Sequence, residues 1–261
     1  MLICTLGDLL LDVIVRPAGP SAPDGDTPAV TRVAPGGQAA NVAAWAVELG
    51  ARGRVICRRG DDAAGELVTR EVESHGVEVR GPVVRGRSGV VVSLLDEEGR
   101  RTMLSDRGVA PELDEIDPSW LEGADWLHVS GYSLLREPIA RAALAAARLA
   151  PRVSVDLSSA PDIRAYGVDR FRALLVELGP ELVFANEEER EVVGGLDARW
   201  VVKLGPRGAC FPEGELPSRA AEVVDATGAG DALTAGYLVG GPEAALDAAA
   251  RCVGRMGAMP W

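Results

Sequence analysis

Residues 225–238, DATGAGDALTAGYL, place a loop of small residues directly before a segment with helical spacing. Gly228, Ala229 and Gly230 leave the backbone N–H groups of this loop unshielded. Free N–H groups at the start of a helix, together with the helix dipole, form a binding site for a phosphate or another anion. No Gly-Lys-Ser/Thr follows, so this is not a Walker A loop. We predict a helix from about Asp231 with an anion site in front of it.

Two carboxylates flank this loop, Asp225 before it and Asp231 after it. Asp is a favoured residue at helix caps, where it contributes about 1 kcal/mol, so Asp231 has a purely structural interpretation. The functional interpretation is that Asp231 acts on a substrate held at the anion site. The stretch by itself leaves both interpretations open.

The composition is that of a globular protein. The chain has 261 residues, 47% of them hydrophobic and 25% charged, which suits one large α/β domain or two small ones. The formal net charge is −12, whereas a protein that follows a nucleic-acid backbone is normally basic. We therefore expect no nucleic-acid partner.

The cysteines and the apolar segments predict a cytoplasmic protein. Cys4, Cys57, Cys210 and Cys252 are far apart and form no C-x-x-C pair, so neither a zinc site nor a disulfide framework is expected. The apolar start LICTLGDLLLDVIV lacks a basic region and is interrupted by aspartates, which is typical of a first strand and not of a signal peptide. No run of about 18 apolar residues predicts a membrane span.

Short apolar runs alternate with alanine-rich amphipathic runs along the chain. The predicted strands are LICTL, RVICR, DWLHVSG, RVSVDLS, LVFAN and RWVVKLG. The predicted helices are NVAAWAVELG, GELVTREVESHG, REPIARAALAAARLA and VDRFRALLVELG. This alternation predicts a mostly parallel sheet covered by helices on both faces.

Two segments depart from that alternation. Residues 12–35 are rich in Pro and Gly with a short strand signal, and residues 88–104 read as a hairpin around Asp-Glu-Glu-Gly. We interpret them as a small β layer over one end of the sheet, spanning about 12–35 and 88–107. The alternative is two unrelated surface loops.

Polar residues and glycines follow several of the predicted strands. They are Gly36, Gly37 and Asn41 in APGGQAANVA, the segment GDDAAGE, Asn186 and Glu189 in FANEEE, and Lys203, Gly205 and Gly208 in VVKLGPRGA. Lys203 is the only lysine in the sequence. Ligand sites of open parallel sheets lie at the carboxyl ends of the strands, where all of these fall.

These motifs, in this order, resemble those of the PfkB/ribokinase family of carbohydrate and nucleoside kinases. GGQAANVA is similar to the N-terminal signature of the family, and DATGAGDALTAG is similar to its C-terminal signature. The resemblance covers nearly the whole chain. It implies one ribokinase-like domain over residues 1–261, a three-layer α/β/α sandwich with a mostly parallel central sheet and a small β lid.

The resemblance also implies a reaction. In this family the Asp that ends G-A-G-D is the catalytic base, which makes Asp231 the acceptor of the proton from the substrate hydroxyl. Gly228, Ala229 and Gly230 then form the anion hole for the transferred phosphoryl group. The implied activity is ATP-dependent phosphorylation of a hydroxyl, expected to be primary, on a sugar or sugar-like substrate.

The other roles follow from the resemblance position by position. The expected substrate-binding residues are Asp12, Gly36, Gly37, Asn41 and Arg107. The expected cofactor-binding residues are Asn186, Lys203, Gly205, Gly208 and Thr227. Glu189 is expected to organise Mg²⁺ through water, and Asp225 to contribute to a site for a monovalent cation such as K⁺. Glu189 also has the interpretation of solvated helix surface, and Asp12 that of a turn residue in the lid.

Several alternatives remain at this point. One alternative is a nucleoside kinase of the same family, and another is a non-catalytic sugar-binding or regulatory protein on this fold. A kinase of vitamin precursors on the related fold is disfavoured by the Gly-Gly and Asn41 signature. Leu10 stands where ribokinases carry a sugar-contacting Asn, so we expect free ribose to be a poor substrate.

Relatives commonly dimerise through the lid, which predicts a homodimer. The chain is short between Glu191 and Lys203, where a peripheral helix is expected to be missing.

Overall fold

Apolar runs and amphipathic runs become the strands and helices of an α/β sandwich. The computed structural model describes residues 1–20, 24–95, 101–219 and 222–261. The strands are β1 Leu2–Leu6, β2 Leu10–Pro17, β3 Ala29–Gly36, β4 Arg52–Ile56, β5 Arg59–Gly60, β6 Glu78–Arg80, β7 Val83–Val84, β8 Ser88–Leu95, β9 Arg101–Gly108, β10 Trp126–Ser130, β11 Val153–Asp156, β12 Leu182–Asn186, β13 Arg199–Lys203, β14 Ala209–Phe211 and β15 Gly214–Leu216. The α-helices are α1 Gln38–Glu48, α2 Ala63–Ser74, α3 Gly131–Leu134, α4 Ile139–Ala147, α5 Ala160–Tyr166, α6 Val168–Leu178, α7 Glu187–Val193 and α8 Ala229–Val253.

The central sheet has the strand order β15-β14-β13-β12-β11-β10-β1-β4-β6. Every pairing from β6 through β13 is parallel, and β14 and β15 add an antiparallel edge. Each residue of β1 is buried, as expected for a parallel strand covered on both faces. The predicted fold class is confirmed.

Successive side chains of a strand point to opposite faces of the sheet, and helices pack on both faces. Cys4 and Leu6 of β1 pack into a core with α4, α5 and α6, whereas Ile3 packs into a core with α8.

Residues 194–198 alone join α7 to β13, so no peripheral helix intervenes there.

Local sequence fixes the start of α2 and an interruption within α8. Asp62 caps α2 by accepting a hydrogen bond from the Gly65 N–H, and its second oxygen accepts from the Ser88 N–H at the start of β8. The long helix α8 is interrupted at Gly241, which has φ 77° and ψ −162° and precedes Pro242.

The two inserted segments form one four-stranded sheet with the order β3-β2-β8-β9. β2 pairs antiparallel with β3 and parallel with β8, and β8 pairs antiparallel with β9. The two segments are therefore neighbours in one layer and not separate loops. Residues 21–23 and the Asp-Glu-Glu-Gly turn at 96–99 lie outside the described residues.

The two faces of this second sheet differ. Ile14 is 2% exposed on the inner face, which rests on the body of the protein. Val13 pairs with Val33 and with Val92, and Val92 pairs with Leu104, so these four lie side by side on the opposite face. Val33 and Leu104 are exposed, and we call this apolar surface of Val13, Val33, Val92 and Leu104 the outer lid face.

Candidate active site

The loop before α8 is held by Asp225. Its Oδ1 accepts hydrogen bonds from the Thr227 N–H at 2.9 Å and the Thr227 hydroxyl at 2.6 Å, and its Oδ2 accepts from the Gly257 N–H at 2.9 Å. Gly228 has φ 77°, and a Cβ there would lie 2.4 Å from the Ala258 Cβ. Asp225 therefore fixes a loop that only glycine can complete at position 228.

Asp231 lies in the first turn of α8 but does not cap it. The helix begins at Ala229, its N-cap is Gly228, and no side chain bonds to the cap. Asp231 Oδ2 instead accepts a hydrogen bond of 2.7 Å from Asn41 Nδ2, 190 residues away on α1. The expectation that the helix starts at Asp231 is two residues late. The capping interpretation of Asp231 has no hydrogen bond to support it.

Two amides of α1 and the surrounding burial set the protonation of Asp231. Burial raises the pKa of its carboxyl from the ordinary 3.8 to about 6, against the hydrogen bonds of Asn41 and Gln38, which lower it. Gln38 Oε1 accepts from the Ser130 and Ser158 hydroxyls, each at 2.6 Å, which fixes the orientation of its amide. A carboxylate with this pKa is ionised at neutral pH yet readily takes a proton.

Lys203, at the end of β13, forms the second charged group of the site. Its Nζ lies 2.5 Å from Oδ2 of the buried Asp156, at the end of β11. Burial lowers the pKa of Lys203, but the Asp156 and Glu189 carboxylates outweigh it, so the net pKa is raised and the ammonium persists. A Cβ on Gly230 would lie 3.4 Å from this Nζ, so the ammonium stands beside the loop before α8.

Asn186 and Glu189 form a capping box at the start of α7. The Glu189 N–H donates to Asn186 Oδ1 at 2.8 Å, and Glu189 Oε2 accepts from the Asn186 N–H at 2.8 Å. Glu189 is 3% exposed, so it is not solvated helix surface. Burial raises the pKa of Glu189, whereas the nearby Lys203 ammonium lowers it. Its carboxylate thus faces the Lys203–Asp156 pair.

A cavity of about 440 Å³ opens on one side of the loop. Lys203, Gly205, Gly208, Ala229 and Gly230 are among the residues that line it. The rest of its wall is mostly apolar, with a polar rim at Ser218 and Arg219: Pro206, Ser218, Arg219, Val223, Ala226, Leu233, Leu246, Ala249, Ala250 and Val253. A cavity with a mostly apolar wall and the cationic side chains of Lys203 and Arg219 in its lining suits a flat ring system that carries an anionic chain.

The paired glycines Gly36 and Gly37 accommodate two carboxylate-bearing residues. A Cβ on Gly36 would lie 2.1 Å from Oδ2 of Asp12, and a Cβ on Gly37 would lie 2.4 Å from the backbone oxygen of Asp8. Asp12 is buried on β2. The glycines are therefore required by protein contacts in addition to any ligand.

Arg107 meets the same region from β9. Its guanidinium forms an ion pair with Asp8 and stacks over the Tyr132 ring at 4.4 Å from the centroid. Burial lowers the pKa of Arg107, and the neighbouring Arg136 adds to this, although a guanidinium stays charged in proteins. The Oδ1 of Asn41 is buried and has no hydrogen-bond partner among the described residues. That oxygen is available to a donor from a ligand.

Comparison with known proteins decides the family. The sequence model described as pfkB family carbohydrate kinase matches residues 1–258. The chain belongs to the pfkB family of carbohydrate kinases. It is therefore an enzyme, and the non-catalytic reading loses its support.

Three known proteins are similar to this pfkB kinase, one in sequence and two in fold. The ATP-dependent ribose-1-phosphate kinase of Halopiger xanaduensis is 35% identical over 85% of this chain and 81% of that protein. The adenosine kinase of Sinorhizobium meliloti has the same fold, with a TM-score of 0.85 at 22% identity over 99% of this chain and 95% of that chain. A candidate Ribokinase II of E. coli, solved with ATP and Mg²⁺, has a TM-score of 0.81 at 22% identity over 98% and 94%.

The structure of this pfkB kinase gathers most of the predicted residues at one edge of the sheet. Asn41 and Lys203 stand beside the loop before α8, and Gly205 and Gly208 line its cavity. Thr227 differs, because its hydroxyl serves the loop through Asp225. Asn186 is absent from the described lining of the cavity.

Sequence reasoning missed Asp8, Gln38, Tyr132 and Asp156. Asp8 and Asp156 each stand at or just after the end of a buried strand, which was the available signal. An isolated Asp in that position is too common to single out without its partner.

Two features are absent from residues 1–20, 24–95, 101–219 and 222–261. No three His, Cys, Asp or Glu side chains there are grouped so that they could hold a metal ion by themselves. No helix in those ranges is long and apolar enough to cross a membrane.

Proposed function

We propose that this pfkB kinase transfers the γ-phosphoryl group of ATP to a hydroxyl, primary by preference, of a sugar or sugar-like acceptor. The observation that carries the proposal is the position of Asp231. Its carboxylate lies in the first turn of α8, directly after the loop at Gly228–Gly230, and is held by Asn41 of α1. A base and an anion site are thereby adjacent.

Asp231 removes the proton of the acceptor hydroxyl. The hydroxyl oxygen forms the new O–P bond to the γ-phosphorus as the bond from that phosphorus to the β–γ bridging oxygen breaks, leaving ADP. A pKa of about 6 leaves Asp231 ionised at neutral pH and able to receive this proton. Asn41 Nδ2 holds the carboxylate, and its buried Oδ1 accepts a hydrogen bond from a second acceptor hydroxyl.

The loop and Lys203 act on the transferred group. The N–H groups of Gly228, Ala229 and Gly230 and the helix dipole offset the negative charge on its equatorial oxygens. The Ala229 N–H also donates a long hydrogen bond of 3.4 Å to the Ala226 carbonyl. Lys203, held by Asp156 beside Gly230, adds a positive charge at the end of the cavity. The apolar part of the cavity, with Leu246 and Val253, receives the adenine ring.

Mg²⁺ supplies charge neutralisation of the triphosphate when it is bound. The donor set suits it: Glu189 uses one hydrogen bond per oxygen in its capping box, so each oxygen keeps a lone pair for a metal-bound water. One carboxylate suffices for an ion that keeps several water ligands.

The monovalent-cation site at Asp225 stays a prediction. The three donors on Asp225 already hold the loop, so a cation such as K⁺ would add to an existing support. Comparison of turnover in KCl and in tetramethylammonium chloride tests it, and equal rates would contradict it.

A sugar phosphate is a second candidate acceptor. The 35% identical relative is named a ribose-1-phosphate kinase, and Arg107 presents a guanidinium at the acceptor end of the site, paired with Asp8. Guanidinium groups bind phosphate well. A nucleoside is the third candidate, supported by the fold of the adenosine kinase.

A coupled assay of ADP release, with Mg²⁺ present, separates the three acceptor classes. The panel contains fructose and other hexoses, ribose 1-phosphate, free ribose and adenosine. We expect turnover above the acceptor-free rate with at least one of them. The proposal fails if the folded protein releases ADP at the same rate with and without every acceptor.

We also propose a homodimer in the cytoplasm. The outer lid face supports dimerisation, since Val33 is 49% and Leu104 is 57% exposed. All four cysteines are free thiols, which suits a reducing compartment. Sedimentation of Leu104→Glu beside the unchanged protein tests the dimer, and identical sedimentation would contradict it.

A further inference from the structure

Residues 254–261, which follow α8, lie against the proposed anion hole. The N–H of Gly257 donates to Asp225 Oδ2 at 2.9 Å. Ala258 packs on Gly228 so closely that a Cβ on the glycine would come within 2.4 Å of it. Segment 254–261 therefore contacts the loop both where it starts and where α8 begins.

The same segment is bound by the lid on its other side. Arg32 of β3 donates through Nη1 to the Met256 carbonyl at 2.6 Å and through Nη2 to the backbone oxygen of Trp261 at 3.0 Å. Ile14 of β2 also approaches it, because a Cβ on Gly257 would lie 3.1 Å from the Ile14 Cδ1. One guanidinium thus fixes two points of a segment that carries the loop.

A second arginine of the lid reaches the loop directly. Arg16 Nη2 donates to the carbonyl of Val224, the residue before Asp225, at 3.1 Å. Arg32 lies opposite Ile14 in the register of β2 and β3, and Asp12, Ile14 and Arg16 alternate along one face of β2. One face of β2 therefore has two roles. It presents Asp12 to the acceptor end, and its Ile14 and Arg16 contact segment 254–261 and the residue before the loop.

We propose that Arg32 is a positioning residue that couples the lid to the anion hole. Arg32 fixes segment 254–261 to the lid that presents Asp12, and through Gly257 and Ala258 this segment sets the position of Asp225 and Gly228. Phosphoryl transfer is sensitive to such positions, because a displacement of about 1 Å can cost about a hundredfold in rate. The proposal rests on the proposed function of the loop as the anion hole.

The structure predicts which kinetic constants depend on Arg32. Segment 254–261 contributes no residue to the described lining of the cavity, so the nucleotide does not depend on it directly. In Arg32→Gln we expect kcat to fall about tenfold and the KM of the acceptor to rise at least about threefold. The Kd of ATP should stay within about twofold, because the cavity is unchanged.

Three further variants exclude a general loss of structure. Arg32→Lys keeps one donor for the Met256 carbonyl and should recover part of kcat, whereas Arg16→Gln should show the same split as Arg32→Gln. Arg87→Gln is the matched control, an arginine just before β8 that pairs with Asp106 at the exposed edge of the lid. We expect it to behave as the unchanged enzyme.

The experiment consists of kcat and both KM values, ATP binding by calorimetry and a thermal melt for each variant. A folded Arg32→Gln enzyme with kcat and acceptor KM within about twofold of the unchanged enzyme overturns the coupling. So does a loss of kcat with no change in acceptor KM, which is the result of a smaller folded fraction. If Arg32→Gln does not fold, Arg16→Gln decides by the same criteria. Different results would contradict the proposed function: the enzyme without substitutions phosphorylates no acceptor, or the Asp231→Asn variant is fully active.

Discussion

Replacement of Asp231 by Asn separates a catalytic base from a structural carboxylate. The helix cap is Gly228, and Asp231 Oδ2 accepts its hydrogen bond from Asn41 Nδ2, which an asparagine oxygen can accept equally well. The variant therefore keeps the shape of the site and loses the proton acceptor. A positioned general base typically contributes about 10²–10⁴-fold, so we expect turnover to fall at least about a hundredfold.

The same change should not destabilise the protein. The pKa of Asp231 rises from the ordinary 3.8 to about 6 on folding, which is about 2 units and corresponds to a cost of at most about 3 kcal/mol for the ionised form. Because the folded pKa is raised, this cost is absent below about pH 4, grows as the pH rises and is complete above about pH 6. Asn removes it, so the melting temperature should match or exceed that of the unchanged protein by a few degrees at pH 7, and the difference should shrink towards pH 4.

The assay is kcat on the best acceptor, with thermal melts across the pH range and ATP binding by calorimetry. ATP should bind as well as before or slightly more tightly, since a negative charge facing the phosphates is removed. Asp169→Asn is the matched control, an exposed carboxylate that also lies in the first turn of a helix, α6. Turnover within about threefold of the unchanged enzyme in folded Asp231→Asn would refute the base assignment.

The remaining predictions concern pH, the lysine partner and the acceptor. Below about pH 6, kcat/KM should fall about tenfold per pH unit as the Asp231 carboxyl takes up a proton, and a flat profile down to pH 5 would argue against it. Asp156→Asn leaves Lys203 without its charge partner, so the free energy of unfolding should drop by about 3 kcal/mol and the KM of ATP should rise; unchanged denaturation and nucleotide titrations would contradict this. Free ribose should have a lower kcat/KM than a hexose or a nucleoside because Leu10, which packs with Val91 and Ala110, offers it no hydrogen bond, and the opposite ranking in the acceptor screen would contradict this.

The central sheet, and the edge of it at which the candidate site lies, could be predicted because both depend on the local pattern of apolar and polar residues. Apolar runs such as the fully buried β1 have a period that a single sequence reveals, and ligand sites of parallel sheets lie at the carboxyl ends of the strands. The lid segments were recognisable because they interrupted the alternation of strands and helices.

The pairings within the site could not be predicted in the same way. Asp231 finds Asn41 across 190 residues, and Lys203 finds Asp156 across 47, because the strand order brings β11 and β13 to either side of β12. The need for glycine at position 36 likewise depends on the Asp12 carboxylate, which comes from a different strand. Such contacts follow from topology, and a sequence pattern does not contain them.

The presence of a single lysine makes this kinase unusually simple to label. Lys203 carries the only side-chain amine in the sequence, and it is held by Asp156 beside the loop before α8. Reductive methylation with ¹³C-formaldehyde would therefore mark one side chain besides the amino terminus. The NMR resonance of that group would report nucleotide occupancy and the charge of the site in the intact protein, without any substitution.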